Sequence, residues 1–295
     1  MTIPLRQQRT VARPCRVTGF GFWSGRDVTV EFHPARAGTG VVFERADLAG
    51  RPQIAAHVRN RAEVPRRTNL ASGAADVEMV EHVMAALAGL QIDNCRVVAD
   101  AAELPGMDGS SRPFIEALRQ AGAERQSLAQ PVMPLTRLTR VQDERGFVEA
   151  RPAAHGGLSL TCSIDYGPTG PIGRQRFEIR VDPGAFVREL ASARTFILLE
   201  EAQYLRRRGI AQRATTRDLL VFAEDGPVDN ELRFADECVR HKALDLIGDL
   251  ALAGVTIQGH IQAHCSGHRL NAELVSKLLA VEAVLEETTT RRLAA

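Results

Sequence analysis

The sequence predicts an α+β fold made of two similar halves. Three observations carry that prediction. Short apolar segments broken by Gly and Pro open each half, and amphipathic helical stretches follow them. The tetrapeptide Leu87-Ala88-Gly89-Leu90 is matched by Leu252-Ala253-Gly254-Val255, and a strand-like segment follows each. Chance similarity between Ala/Leu-rich helix ends is the other reading of so short a match.

Residues 16–21, 27–32 and 39–45 read as strands, punctuated by Gly19, Gly25, Pro34, Gly38 and Gly40. Val77, Val80, Met84 and Leu87 fall at helical spacing and predict a helix over 75–88, with Gly89 as its C-cap. A strand over 95–98, an ordered loop over 103–113 and a helix over 113–121 with Pro113 at its start complete the first half. Residues 126–134 hold Pro131 and Pro134 and lack helical periodicity, so they read as a linker between domains 1–128 and 129–295. Strands are then expected over 135–141, 146–150, 158–165 and 175–180. Helices follow from Pro183, over 199–208 and over 233–253, the last stopping at Gly254. A strand over 256–264 and a helix over 271–285 close the chain.

The 295 residues suit two domains at roughly 150 each. A net charge of +1 excludes a strongly basic nucleic-acid binder, and 5% aromatics argue against a base-stacking surface. With 44% apolar and 25% charged residues the chain is not disordered. The most apolar run, 79–90, is interrupted by Glu81 and His82, so no bilayer span is expected. The N-terminus lacks a signal-peptide core. Five scattered Cys make a poor disulfide framework, so a reducing cytoplasm is the expectation. A monomer is expected.

His241 and Asp245 stand four apart on a predicted helix, which puts both on one face. Such a pair offers a divalent metal one nitrogen and one oxygen; a solvated or salt-bridged face is the other reading. Glu81-His82 interrupts an apolar helical stretch, where polar groups are costly unless paired or functional. One of the two can ligate a metal while the other acts as base, or one can simply face water. His264-Cys265-Ser266-Gly267-His268 lies between a strand and a helix, where Gly267 permits a tight turn. His268 there suits a general acid near neutral pH; an exposed loop histidine is the alternative. Two metal sites compete. Cys238, His241, His264 and His268 imitate a closed structural zinc set. His82, His241 and Asp245 form an open three-ligand set that leaves Glu81 and His268 for proton transfer.

These residues also carry a resemblance. Residues 80–94 (Val-Glu-His-Val-Met-Ala-Ala-Leu-Ala-Gly-Leu-Gln-Ile-Asp-Asn) and Met107-Asp108-Gly109-Ser110 resemble the UDP-3-O-acyl-N-acetylglucosamine deacetylases. So do Ala193-Arg194-Thr195-Phe196, residues 232–249 and Ser266-Gly267-His268-Arg269-Leu270-Asn271, in the family's order and over nearly the whole chain. This family consists of zinc amidases at the early committed step of lipid A biosynthesis. The resemblance implies two α+β domains in a β-α-α-β sandwich, each with a small inserted element. It implies Zn²⁺ on His82, His241 and Asp245, with Glu81 as general base and His268, oriented by Asp249, as acid. Thr195 would face the oxyanion, and Lys242 the polar head of the substrate. Asp165 and Tyr166 would lie by the uridine. An insert over 186–222 would line an acyl passage with Phe196, Leu205 and Ile210. The implied substrate is an acylated UDP-sugar, cleaved to acetate and a free 2-amino sugar. A related zinc amidase on another N-acetylated sugar and a non-catalytic zinc-binding homologue are the alternatives. The chain departs from the family at Trp23-Ser24-Gly25 (His-Thr/Ser-Gly), at Cys265 (Lys) and at Arg213-Ala214-Thr215 (Gly-Gly-Ser).

Overall fold

A computed structural model describes residues 6–154 and 156–293, with side chains to residue 281. In the first half, strands β1 (Gln7–Val11), β2 (Cys15–Phe20), β3 (Asp27–Pro34), β4 (Val41–Arg45) and β5 (Gln53–Ala55) lead into a small three-stranded sheet. That sheet comprises β6 (Arg61–Ala62), β7 (Asn69–Ser72) and β8 (Ala75–Val77). Helix α1 (Glu81–Gly89), β9 (Cys95–Ala99), α2 (Arg112–Ala121) and β10 (Ala123–Ala129) follow.

The second half begins with β11 (Val132–Pro134), β12 (Thr139–Gln142), β13 (Phe147–Arg151), β14 (Leu158–Asp165) and β15 (Arg174–Val181). Helix α3 (Pro183–Glu189) precedes another small sheet made of β16 (Phe196–Leu198), β17 (Leu220–Ala223) and β18 (Gly226–Pro227), with α4 (Leu199–Arg207) between its first two strands. Helix α5 (Glu237–Leu250), β19 (Thr256–His264) and α6 (His268–Leu293) end the chain.

The two main sheets repeat one strand order, β2-β3-β9-β4-β5 and β12-β13-β19-β14-β15. In each, the last strand enters the middle, antiparallel to one neighbour and parallel to the other. The chain is therefore α+β with an internally repeated topology. Phe32, Phe43 and Phe114 from the first half and Leu160 and Phe186 from the second belong to one buried cluster. Among the described residues no helix is long and apolar enough to cross a membrane. All five Cys are free.

Four expectations need correction. The helix expected over 75–88 begins only at Glu81, because Ala75–Val77 pairs with Asn69–Ser72 and Met79 turns left-handed (φ +59°). The segment read as a linker is two strands: β10 pairs with β1, and β11 runs parallel to β19. Its exposed, polar side chains carry no period, yet its backbone finds partners. The helix expected from 233 starts at Glu237 and tightens to a 3₁₀ turn over Ala251–Ala253. Finally, the two Leu-Ala-Gly matches serve different ends. Gly254 is the left-handed cap (φ +70°). Gly89 lies inside α1, where an added Cβ would stand 2.3 Å from the Phe186 ring.

Helices α1 and α5 touch backbone to backbone. A Cβ on Gly248 would lie 2.2 Å from the Glu81 carbonyl oxygen. Only glycine lets two helices approach so closely. This contact sets the spacing of the site described next.

Candidate active site

The first turn of α1 carries Glu81 and His82, and the middle of α5 carries His241 and Asp245. One ligand atom from each of His82, His241 and Asp245 lies within 4.8 Å of the others, and all three residues are buried. Asp245 Oδ1 is 3.6 Å from His82 Nε2 and 3.3 Å from His241 Nε2. His241 Nδ1–H donates to the Ala193 carbonyl (3.1 Å), which turns the Nε2 lone pair inward. Burial pushes His241 down to about 3 despite the nearby Asp245 carboxylate, so the imidazole is neutral, the form that ligates metal. Lys242 Nζ donates to Asp245 Oδ2 (2.7 Å), whereas Oδ1 is buried without a donor. Burial alone would raise Asp245, but His241, Lys242, His82 and His268 hold it well below the usual carboxylate range. A charged oxygen with no hydrogen-bond partner, beside the Nε2 atoms of two buried imidazoles, is what a dication satisfies. Two nitrogens and one oxygen suit a catalytic zinc with an open position.

Glu81 is buried, and its Oε2 accepts from the Thr68 N–H (3.0 Å). Burial raises its carboxyl above the ordinary value, against the pull of His268 and His82. His268 opens α6 and donates from Nδ1 to Asp249 Oδ2 (2.9 Å). Its Nε2 faces Asp245 Oδ2 at 4.0 Å. Burial would lower His268, but Asp249, Glu81 and Asp245 together push it up to about 9, so it is protonated at neutral pH. Asp249 also accepts from Thr68 Oγ1 (2.6 Å) and Asn271 Nδ2 (2.8 Å). Thr68 is a contact that sequence reasoning missed, for it belongs to no motif and no period. Thr195 Oγ1 stands 3.1 Å from His241 Nε2, 3.4 Å from His82 Nε2 and 3.1 Å from the Gly109 carbonyl.

Two further points of the sequence reading meet the structure here. The left-handed residue of the 264–268 turn is Cys265 (φ +47°), not Gly267, whose position has no positive φ and no neighbour to avoid. The backbone of Gly146 packs directly beneath, where a Cβ would meet the His264 carbonyl at 2.3 Å. The closed Cys/His zinc set is not assembled. Among the described residues the only metal-capable group is His82, His241 and Asp245. Cys238 is buried, its thiol pushed up to about 12, and His264 Nδ1 contacts Ser163 Oγ (2.9 Å).

The site opens into a cleft of about 1090 Å³ that includes Glu81, His82, Thr195, His241, Asp245 and His268 in its wall. Lys242, Asp165, Tyr166, Phe196 and Leu205 line the same cleft. Asp165 is paired with Arg174 at 2.9 Å. Tyr166 is 42% exposed and meets the Phe196 ring edge-on at 5.8 Å, and Phe196 in turn lies 6.3 Å from the His241 ring. Ile210 is half-buried just beyond α4 and is not part of the cleft wall. Asp249 lies behind His268.

A family model of UDP-3-O-acyl N-acetylglycosamine deacetylases matches residues 8–280. The chain belongs to this family. Relatives named UDP-3-O-acyl-N-acetylglucosamine deacetylase span nearly its whole length. The protein from Geobacter sp. (strain M21) is 36% identical over 92% of this chain and 88% of its own. That from Psychrobacter cryohalolentis is 38% identical over 92% and 85%. That from Brucella melitensis biotype 2 is 36% identical over 95% and 97%.

Of the residues at which the resemblance breaks, Trp23, Ala214 and Cys265 line the cleft, and none belongs to the buried trio. Trp23 N–H donates to Glu103 Oε1 (2.7 Å), and the Arg67 guanidinium lies 4.3 Å over its ring. Arg213 pairs with Asp27 (2.6 Å) and is not part of the cleft wall.

Proposed function

We propose that the protein hydrolyses the N-acetyl group of UDP-3-O-acyl-N-acetylglucosamine to acetate and the free 2-amino sugar, with zinc held by His82, His241 and Asp245. One observation carries this reading. The donor-free Asp245 Oδ1 and two inward imidazoles share a buried pocket with a carboxyl base and a protonated histidine. Bound there, zinc supplies Lewis-acid polarisation of the amide carbonyl and a more acidic water.

The remaining chemistry belongs to the chain. Glu81, held through Oε2, offers its other oxygen to take the proton of the attacking water. The Thr195 hydroxyl swings from the Gly109 carbonyl to donate to the oxyanion. His268 gives its Nε2 proton to the departing nitrogen while Asp249 keeps the ring in place. Lys242 meets the polar head, and Tyr166 beside Asp165 stacks on the uracil. Arg66, Arg67 and Arg145 also line the cleft, Arg66 paired with Glu201 and Arg67 with Glu78, and Cys265 stands where the resemblance has a lysine. Phe196 and Leu205 form an apolar wall suited to the acyl chain.

The same proposal includes a two-domain β-α-α-β sandwich divided near residue 128. The repeated strand order and the contact of α1 with α5 support it. Five free cysteines accord with a cytoplasmic enzyme.

The test is acetate release from the 3-O-acylated UDP-sugar and from its unacylated counterpart, with metal analysis of the same sample. Faster release from the acylated sugar and one zinc per chain are expected. Absence of acetate from either sugar in zinc-loaded protein rejects the reading.

A further inference from the structure

We infer that Thr68 is a positioning residue that fixes the proton acceptor of one half of the molecule relative to the proton donor of the other. The inference rests on the deacetylase reading and deepens it.

Thr68 is fully buried, immediately before β7. Its backbone brackets the start of α1. Its carbonyl accepts from Val80 N–H (3.0 Å), and its own N–H donates to Glu81 Oε2 (3.0 Å). Its side chain reaches the other half. Oγ1–H donates to Asp249 Oδ1 (2.6 Å), and Oγ1 lies 3.1 Å from His268 Nδ1. These partners stand 181 and 200 residues away in the chain.

Two consequences follow for the chemistry. Holding Glu81 Oε2 leaves Oε1 as the oxygen free to accept a proton. Satisfying Asp249 Oδ1 leaves Oδ2 to the His268 Nδ1–H and Asn271, so the other ring nitrogen of His268 carries its proton toward the cleft. Without the hydroxyl, a buried carboxylate oxygen loses its donor, and the carboxylate is free to rotate away from the imidazole.

The backbone bonds survive a side-chain change, so the hydroxyl can be tested alone. Thr68→Val keeps the shape and removes the donor, whereas Thr68→Ser keeps the donor. Acetate release from the acylated UDP-sugar is measured per mole of folded, zinc-loaded protein. Thr68→Val is expected to lower kcat about 10–100-fold with KM unchanged, and Thr68→Ser to restore most of the rate. A valine variant with wild-type kcat, equal impairment of valine and serine variants, or a loss confined to KM overturns the inference. Should Thr68→Val not fold, Thr68→Ala is compared with Thr68→Ser, and equal rates overturn it. A wild-type protein that releases no acetate defeats the deacetylase reading as well. An active wild type with an equally active valine variant defeats this inference alone.

Discussion

His268 and Asp249 form a buried pair, Nδ1 to Oδ2 at 2.9 Å, with side chains 7% and 1% exposed. The carboxylate favours the imidazolium, and with Glu81 and Asp245 it raises His268 to about 9. Activity that needs this proton declines on the alkaline side near pH 9, and the acid limb belongs to Glu81, above its ordinary 4.5. Asp249→Asn should move the alkaline limb of kcat/KM down by about one pH unit or more. The stability contribution of His268 is complete below its ordinary 6.5 and is lost as pH rises through about 9. Urea unfolding at pH 6 and pH 10 should therefore show a pH-dependent loss that is smaller in Asp249→Asn.

Removing either proton-transfer group should be severe. Glu81→Ala and His268→Ala should each reduce acetate release by about 100-fold or more, the scale of a lost general acid or base. A variant that keeps near-full turnover removes that residue from the mechanism.

The metal trio predicts a chelation phenotype. Stripping the protein with a strong chelator should abolish turnover, and added zinc should restore it. His82→Ala and Asp245→Ala should retain little zinc at equilibrium dialysis. The melting temperature of the wild type should rise with free zinc, since ligand binding to the folded state stabilises it.

Gly248 should couple stability to the site. A methyl group there meets the Glu81 carbonyl at 2.2 Å and the Ala85 nitrogen at 3.2 Å, both backbone atoms that cannot rotate aside. Gly248→Ala should cost about 1–3 kcal/mol in urea unfolding and lower zinc occupancy, because α1 and α5 must separate. Gly267→Ala, at a position with nothing within 4 Å, is the control and should change stability by no more than about 0.5 kcal/mol.

The periodic features of this protein were present in its sequence. The i, i+4 spacing of His241 and Asp245 placed both on one face of α5, and Glu81-His82 marked a polar break in an apolar helix. Most core strands could be read from alternation and turn residues, and the motif order carried the family resemblance. What escaped depended on partners far along the chain. β10 is polar and aperiodic, and it is a strand only because β1 lies beside it. Ala75–Val77 is a local exception: it continues a helical pattern, yet it pairs in a hairpin with the adjacent Asn69–Ser72. Gly89 looks like a cap but makes room for Phe186. Helical and strand periods are local properties of a backbone, so composition and spacing alone determine them. The meeting of His82 with His241, the donor-free oxygen of Asp245 and the hold of Thr68 on both halves arise only when α1 closes on α5. Tertiary packing decides them, because hydrogen bonds and close contacts act over a few ångströms in space whatever the separation in sequence.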